Sequence, residues 1–451
     1  MRKFLKYLLL TSLALLSQTD VLAISGSWRG NLEAFGTKIP LVLKLDKTND
    51  GKTVASMDSP NQNAKDIPCE VCLCTEDSIS LDCKIIGATY TGRIYPGRIE
   101  GVFTQAGMRL PLVLTPEAAL SERRPQTPVA PFPYTETDTV FFSADGTRLA
   151  GTLTIPERAS DKAVPVVVMI TGSGPQNRDE EVFEHRPFAV IADWLARHGI
   201  ASFRYDDRGV ASSGGNYAEA TIDTFKSDAA AALQFVRHYG GFGKAGLLGH
   251  SEGGTLAVLI AAEDAPDFII SLAGVSVPAK DVVISQNISL FDMLGVTDSQ
   301  RDASARLLDI LFDTIKTQYI AGCPAPIDID AICRDNSLDV PDFILASVKR
   351  NMSARNAYFD SLVSLDPTSC LKKIKCPVLV VNGTKDTQVN AEVNLESFRK
   401  NVKDVDIRRI DNLNHLMQHA STGKAEEYAD IKETVSPEVL EIISDFILRH
   451  R

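Results

Sequence analysis

The stretch KAGLLGHSEGGTLAVLIAAE, residues 244–263, decides the fold. It begins with an apolar run that ends in glycine, and it ends with residues typical of a helix. Between these parts lies Ser251, in a G-x-S-x-G pattern with Gly249 and Gly253, and Gly254 follows directly. Glycine lacks a Cβ, so the backbone can turn sharply and the helix can start close beside the strand. The stretch therefore predicts a strand, a tight turn that exposes Ser251, and a helix.

The flanking segments repeat this alternation of strand and helix. PVVVMI (165–170) is the apolar, β-branched run that a buried parallel strand carries. Helical spacing follows in residues 188–199 and again in 223–239, and the rhythm returns at CPVLVVNG (376–383). Strands that alternate with helices of a dozen residues indicate a parallel sheet with crossover helices. We therefore predict an α/β domain over residues 135–451, with a mostly parallel sheet flanked by helices.

The first quarter of the chain has a different pattern. Segments such as KIPLVLKLD (38–46) and SISLDCKIIG (78–87) alternate or run apolar, and helical periodicity is absent. They predict a small all-β domain over residues 24–118, either a sandwich or a barrel. SERRPQTPVAPFP (121–133) is rich in proline and charge, so residues 119–134 are predicted to be a linker rather than packed structure.

One part of the α/β region lacks the alternation of strands and helices. DFIISLAGVSVP (267–278) is interpreted as a strand, and only helical segments follow it until about residue 365. The clearest is DSQRDASARLLDILFDTIKTQ (298–318). A helical stretch between two core strands predicts an inserted lid at about 279–365.

A serine hydroxyl becomes a nucleophile only beside a base, which in turn needs a carboxylate to hold it. Asp386 follows the apolar strand PVLVVNG, at the end of a parallel strand where ligands gather. His415 follows the last predicted strand, which completes the chain order serine, acid, histidine. His419 is the alternative base, while His250 is too close to Ser251 to serve it.

Two carboxylates compete with Asp386 for the acid's role. Asp406 precedes or lies within the last strand, and Asp411 lies in the same loop as His415. Asp386 therefore remains the predicted acid.

Attack on a carbonyl group also requires backbone N–H groups that stabilise an oxyanion. One is predicted from Glu252, the residue after the nucleophile. The other is predicted from Ser173, in the glycine-rich loop TGSGPQNRDE (171–180) that opens directly from a strand. These roles need no side chain.

The N-terminus and the net charge restrict location and partners. Basic residues, a short apolar run and a small residue at Ala23 form the layout of a signal peptide over residues 1–23. The apolar run is too short for a membrane span, so the mature protein is predicted to be exported, without a span. A net charge of −11 argues against nucleic acid or an anionic membrane as a partner.

Because an exported protein enters an oxidising environment, we predict that the eight cysteines form disulfides. Free thiols and a metal site are the alternatives. Four lie close together in the β-domain, with an open connectivity: Cys69, Cys72, Cys74 and Cys83. Two further pairs follow from proximity in the sequence: Cys323 with Cys333, and Cys370 with Cys376.

Several of these motifs together resemble the α/β-hydrolase superfamily. More narrowly they are similar to exported bacterial EstD-type carboxylesterases, which are related to serine aminopeptidase-like and dienelactone-hydrolase-like enzymes. The motifs are TGSGPQNRDE (171–180), YDDRGVASSGG (205–215), GHSEGG (249–254), PVLVVNGTKD (377–386) and NHL (414–416). The N-terminal β-domain also resembles the domain that precedes the hydrolase in that group.

The resemblance implies a serine esterase without metal or organic cofactor that acts on short acyl esters, with Ser251, Asp386 and His415 at the triad positions. This sequence departs from the pattern twice. Ala211 replaces a common glycine, and Thr171 replaces the histidine of the usual His-Gly pair.

Two acidic features near the site have open interpretations. The run of residues 206–209, DDRG, is predicted to brace its loop through an internal ion pair. The Glu252 side chain is predicted to form a salt bridge to the scaffold, while the alternative is that it binds a substrate's amino group.

Three functions are compatible with the sequence. The first is an exported serine hydrolase that cleaves small-molecule carboxylic esters through an acyl-enzyme. The second is an aminopeptidase or dipeptidyl-type peptidase with the same triad, and the third is a non-catalytic surface- or glycan-binding protein. Acyl length and oligomeric state stay open.

Overall fold

The computed structural model describes residues 24–34, 37–48, 51–60, 64–117, 124–157, 164–293 and 295–451. The chain divides into two compact units, Met1–Ala118 and Ala119–Arg451. The predicted signal peptide, residues 1–23, lies outside the described residues. Within the described part of the chain, no helix has the length and apolarity needed to cross a membrane.

The first unit is a closed barrel of eight antiparallel strands, which the alternating pattern left open as sandwich or barrel. Pairing of the first strand with the last closes it. The strands are β1 (Gly26–Ala34), β2 (Thr37–Lys47), β3 (Thr53–Ser59), β4 (Ala64–Cys74), β5 (Ser78–Cys83), β6 (Ala88–Tyr95), β7 (Arg98–Gln105) and β8 (Met108–Pro116). Alternate residues such as Leu43, Leu45 and Ile79 fill the interior. Successive residues of a strand point to opposite faces, so the alternation of apolar residues in the sequence indicates barrel strands.

One of the predicted disulfides is present in the barrel. Cys69 on β4 is bonded to Cys83 at the end of β5. The other six cysteines are free thiols, so the prediction of disulfides is wrong for Cys72 and Cys74 of the barrel and for the two pairs predicted from proximity in the second unit. A disulfide needs Cα atoms within about 7 Å and facing Cβ atoms, and neighbours in sequence need not satisfy this.

The second unit contains an eight-stranded mixed sheet with the order β16-β15-β14-β13-β11-β12-β10-β9. Its strands are β9 (Tyr134–Phe142), β10 (Arg148–Pro156), β11 (Val164–Ile170), β12 (Ala201–Tyr205), β13 (Phe242–His250), β14 (Ile269–Leu272), β15 (Val378–Gly383) and β16 (Val405–Ile410). The pairs β9–β10 and β10–β12 are antiparallel, and the remaining pairs are parallel. The predicted strand at 267–278 is thus only four residues long. An α/β domain after a small all-β domain is confirmed.

Helices cover both faces of this sheet because its central strands are apolar on both sides. Helices α2 (Ile222–Tyr239), α3 (Glu252–Glu263) and α10 (Ala391–Asn401) contribute to one buried cluster. Helices α1 (Pro187–Arg197) and α11 (Pro437–Arg449) contribute to the cluster on the other face.

Six helices lie between β14 and β15, where the sequence predicted a helical stretch. They are α4 (Ala279–Met293), α5 (Asp298–Ile320), α6 (Ile329–Asp335), α7 (Asp342–Ser353), α8 (Ala357–Ser364) and α9 (Thr368–Leu371). This helical insertion has its own buried cluster, which includes Leu307, Leu311 and Phe312. A separate core means that the insertion is a packed subdomain.

The segment predicted to be a linker is packed where the structure describes it. Arg124 is buried, and its guanidinium donates to three backbone carbonyl groups, those of Phe183, Ala429 and Ile431. The Gln126 side chain bonds backbone groups of residues 434 and 435. The composition pointed to a free linker, but these polar side chains satisfy backbone groups of their own unit, so that prediction is wrong for this part.

Candidate active site

Ser251 lies at the turn between β13 and α3, as the opening stretch predicted. Its backbone has φ 52° and ψ −118°, a left-handed conformation that is costly for any residue with a Cβ. Close packing makes the turn possible. A methyl group on Gly249 would collide with the Gly253 backbone, and one on Gly253 would collide with the carbonyl of Ile170. The glycines therefore let the turn lie against β11.

Asp386 and His415 form a direct pair. His415 Nδ1 donates to Asp386 Oδ2 at 2.9 Å, and both side chains are buried. The other carboxylate oxygen accepts the backbone N–H groups of Gln388 and Val389, at 2.9 and 2.8 Å. With its proton held on Nδ1, the imidazole keeps Nε2 as a base.

His250 connects this pair to the turn that carries Ser251. Its Nε2–H donates to the backbone carbonyl of His415 at 2.8 Å, and the two rings have centroids 4.9 Å apart. The structure thus brings Asp386 and His415 together by a side-chain hydrogen bond, and it brings residue 415 to the immediate neighbour of Ser251.

Glu180 extends this connection to the glycine-rich loop. Its Oε1 accepts the N–H of Gly172 at 2.7 Å and the Nδ1–H of His250 at 2.9 Å. Both nitrogens of His250 face atoms that only accept, so the ring carries two protons and a positive charge. Burial opposes that charge, but the Glu180 carboxylate raises the pKa of His250 to about 9.

Sequence reasoning missed this network of Glu180 and His250. It set His250 aside because of its position beside the serine. Both residues lie in motifs that resemble the hydrolase superfamily, but nothing in the sequence indicates that they contact each other.

The two predicted oxyanion donors lie at the same cavity as the serine. Ser173, Ser251 and Glu252 line a cavity of about 100 Å³. The N–H of Glu252 is the first of α3, so it has no acceptor within the helix. The N–H of Gly172 is bonded to Glu180 and is therefore not free to bind an oxyanion, while Ser173, the next residue, lines the cavity.

The Glu252 side chain does not form the predicted salt bridge. It is buried, and the Tyr358 hydroxyl donates to its Oε2 at 2.6 Å. Among the described residues it has no cationic partner. Burial raises the pKa of Glu252 to about 7, against the opposing effect of the Tyr358 hydrogen bond. A carboxylate that is half-protonated near neutral pH therefore lies beside the nucleophile.

Comparison with known proteins identifies the family. Residues 184–420, just over half of the chain, match the family model described as "Serine aminopeptidase, S33". The chain belongs to this family. Esterase EstD of Thermotoga maritima is 28% identical over 274 residues, which are 60% of this chain and 58% of that protein. The predicted likeness to EstD-type α/β-hydrolases is confirmed, and the match spans less than two thirds of that relative.

Solved structures were also compared with this member of the serine aminopeptidase family. An esterase of Pyrococcus furiosus has a TM-score of 0.44 and 15% identity, with coverage of 70% of this chain and 91% of that chain. The alpha/beta hydrolase GrgF from Penicillium has a TM-score of 0.44 and 18% identity, with coverage of 70% and 99%.

The acidic run at 206–209 forms ion pairs, but with residues elsewhere in the chain. Arg208 makes a bidentate pair with buried Asp228 on α2, and Asp206 pairs with Arg178. The run does brace its loop through ion pairs, but the partners lie outside the run rather than within it.

The two departures from the usual pattern have structural consequences. Ala211 has φ 45°, a left-handed conformation in which glycine carries no penalty. The Thr171 hydroxyl donates to Asp207, whose other oxygen accepts the N–H of Gln176. Burial raises the pKa of Asp207 to about 8.

His419, the alternative base, and the buried His185 have other partners. His419 Nδ1 bonds Glu433 at the surface. His185 is buried, bonded to the Thr434 hydroxyl and the Tyr428 carbonyl. In the part of the chain that the structure describes, no three His, Cys, Asp or Glu residues form a metal-binding group.

Proposed function

We propose that this protein is an exported serine hydrolase that cleaves carboxylic esters with short acyl chains. The observation that carries the proposal is the buried Asp386–His415 pair, tied through His250 to the turn that exposes Ser251. The esterase name of the Thermotoga relative points to the same chemistry.

In this mechanism the Ser251 Oγ attacks the ester carbonyl while His415 Nε2 takes its proton. Asp386 keeps the imidazole in the required tautomer and stabilises its charge. The N–H groups of Ser173 and Glu252 donate to the oxyanion of the tetrahedral intermediate. His415 then protonates the leaving alcohol, and water releases the acid from the acyl-enzyme by the reverse proton transfers.

The preference for short acyl groups rests on the size of the cavity. The cavity at Ser251 has a volume of about 100 Å³, well below the roughly 300–1,000 Å³ of typical ligand pockets, so a small acyl group fits it best. Ala279, Val282 and Val283 of the helical insertion line this cavity. In this proposal residues 279–365 are a lid over the site.

The central test is turnover of p-nitrophenyl acetate and butyrate by the wild type and by Ser251→Ala. Loss of turnover in a folded variant, together with loss of fluorophosphonate labelling, is the expected result. His415→Ala should be nearly as impaired. Near-normal activity of Asp386→Asn would show that the acid is misassigned, and an unlabelled wild type would favour a non-catalytic protein.

Cleavage of peptides from a free amino terminus is the second candidate. It is favoured by the buried Glu252 carboxylate at the cavity, a group that attracts an ammonium ion, and by the description of the family. Parallel rates on p-nitrophenyl butyrate and an aminoacyl-p-nitroanilide separate the two. A tenfold preference for the amide would overturn the esterase proposal.

Export is part of the proposal and rests on residues 1–23 alone. Expression of the full chain in a bacterium, followed by fractionation and N-terminal sequencing, tests it. A mature protein that starts after Ala23 outside the cytoplasm is expected, and an intact N-terminus in the cytoplasm would refute export.

A further inference from the structure

A second cavity lies inside the helical insertion. Its volume is about 340 Å³, more than three times that of the cavity at Ser251. Phe291, Leu311, Phe312 and Phe359 form an apolar part of its wall. Nothing in the mechanism above uses this space.

Helix α4 separates the two cavities. Residues on one side of the helix, such as Val282 and Gln286, line the cavity at Ser251. Asn287 and Phe291, four residues apart, line the second cavity. Val283 lines both. Because successive helical residues are rotated by about 100°, Val283 lies at the boundary between two faces of α4, with a cavity on each side.

We propose that the second cavity can take a longer apolar tail of an ester, and that Val283 restricts entry to it from the catalytic cavity, so that the wild type prefers short esters. This inference rests on the proposed ester hydrolysis. The small cavity holds the reacting carbonyl group and its first carbons. A longer aliphatic or aromatic tail has to pass Val283 to leave water, and the apolar wall beyond it stabilises such a tail.

The polar lining of the second cavity also restricts its ligand. Asn287, Ser347, Arg350 and Asn351 are its polar members, and all are partly or fully exposed. Among the residues whose side chains the structure describes, no acidic residue lines it. A tail that is apolar along its length and neutral or anionic at its far end fits this arrangement, whereas a cationic end does not.

The test uses Val283→Ala, with Val282→Ala as the matched control. Both remove the same atoms from adjacent positions on α4, but Val282 lines only the catalytic cavity. The readout is the ratio of kcat/KM for p-nitrophenyl octanoate to that for the butyrate. Octanoate has four methylene groups more than butyrate, and burial of each one contributes about fourfold to such a ratio. We therefore expect the ratio to rise by about ten- to a hundredfold in Val283→Ala. The control should change it less than about threefold.

A second change shows whether the tail occupies this cavity. Ser347→Trp, added to Val283→Ala, fills the second cavity from its partly exposed edge and should return the ratio to the wild-type value. A parallel series of alkyl acetates shows which part of the ester enters. A rise confined to the p-nitrophenyl series assigns the tail to the acyl group, and one confined to the acetates assigns it to the alcohol.

An equal response of the two valine variants in both ester series, or no effect of Ser347→Trp on the rise, would overturn the subsite while short esters are still cleaved. If the wild type neither cleaves short esters nor reacts with a fluorophosphonate, the proposed function fails, and the subsite fails with it.

Discussion

Glu180→Gln tests the buried charge network behind the active-site turn. The variant keeps the shape of the side chain and an oxygen that accepts from Gly172, but it removes the charge that faces His250. Without this charge the protonated form of His250 is no longer stabilised, and the pKa of His250 falls. We expect a loss of stability that depends on pH, because His250 titrates differently in the folded and unfolded states.

The size of the loss follows from the pKa of His250. This value is about 9 in the folded protein, against 6.5 in an unfolded chain. Such a difference corresponds to about 3 kcal/mol of folding free energy. A raised histidine pKa contributes fully below pH 6.5, and the contribution disappears as pH rises through about 9. The variant should therefore be about 3 kcal/mol less stable near pH 6, with most of that difference gone at pH 10.

Urea unfolding at pH 6, 8 and 10 measures this difference. The chain has two tryptophans, and Trp28 lies in the barrel, so a Trp28→Phe background leaves Trp194 to report on the second unit. The kcat should also fall more than the KM rises, since the bonds that hold residues 172 and 415 at the turn are weakened.

The protein contains a matched control for this experiment. Glu433 also accepts one backbone N–H and the Nδ1–H of a histidine, His419, at 2.9 Å. This pair is partly exposed, and exposed ion pairs contribute less than about 1 kcal/mol. Glu433→Gln should therefore change stability little. A Glu180→Gln defect of the same size at pH 6 and pH 10 would refute a charged His250.

Three further predictions concern single contacts. Gly253→Ala should prevent correct folding, because its methyl group would collide with the carbonyl of Ile170; soluble yield and circular dichroism measure this. Tyr358→Phe removes the hydrogen bond that lowers the pKa of Glu252, so this pKa should rise above about 7, and any dependence of kcat/KM on the Glu252 carboxylate should move to higher pH. Cys83→Ser should destabilise the barrel by about 3 kcal/mol, because the disulfide closes a loop of about 15 residues; unfolding with and without dithiothreitol measures this.

The parts of the fold that were predicted from the sequence are those that depend on local patterns of residues. Alternation of apolar residues gave the barrel strands, and the apolar β-branched runs gave the buried parallel strands. The G-x-S-x-G stretch predicted the turn at Ser251 because glycine is required at 249 and 253 for steric reasons. This requirement can be recognised in the stretch without knowing a distant partner residue. Chain order then indicated Asp386 and His415, which the structure joins by a hydrogen bond.

The parts that were missed or wrong depend on partners far away in the chain. Arg124 lies in a proline-rich segment, and only the folded unit places backbone carbonyls around its guanidinium. The same holds for Arg208, which lies in a loop and whose partner Asp228 lies on helix α2. The cysteine pairs failed because distance along the chain does not measure distance in space. In each case composition predicts a tendency, and tertiary contacts decide the outcome.

The loop that carries Ser173, the proposed oxyanion donor, is held on both sides by buried acidic side chains. Glu180 accepts the N–H of Gly172, and Asp207 accepts both the Thr171 hydroxyl and the N–H of Gln176. Residues 171, 172 and 176 are thus fixed, and Ser173 lies between them. An oxyanion donor is effective only when its direction is set before the charge develops. Threonine at 171 serves this purpose because its hydroxyl reaches Asp207, so the departure from the commoner histidine keeps the loop anchored to the scaffold.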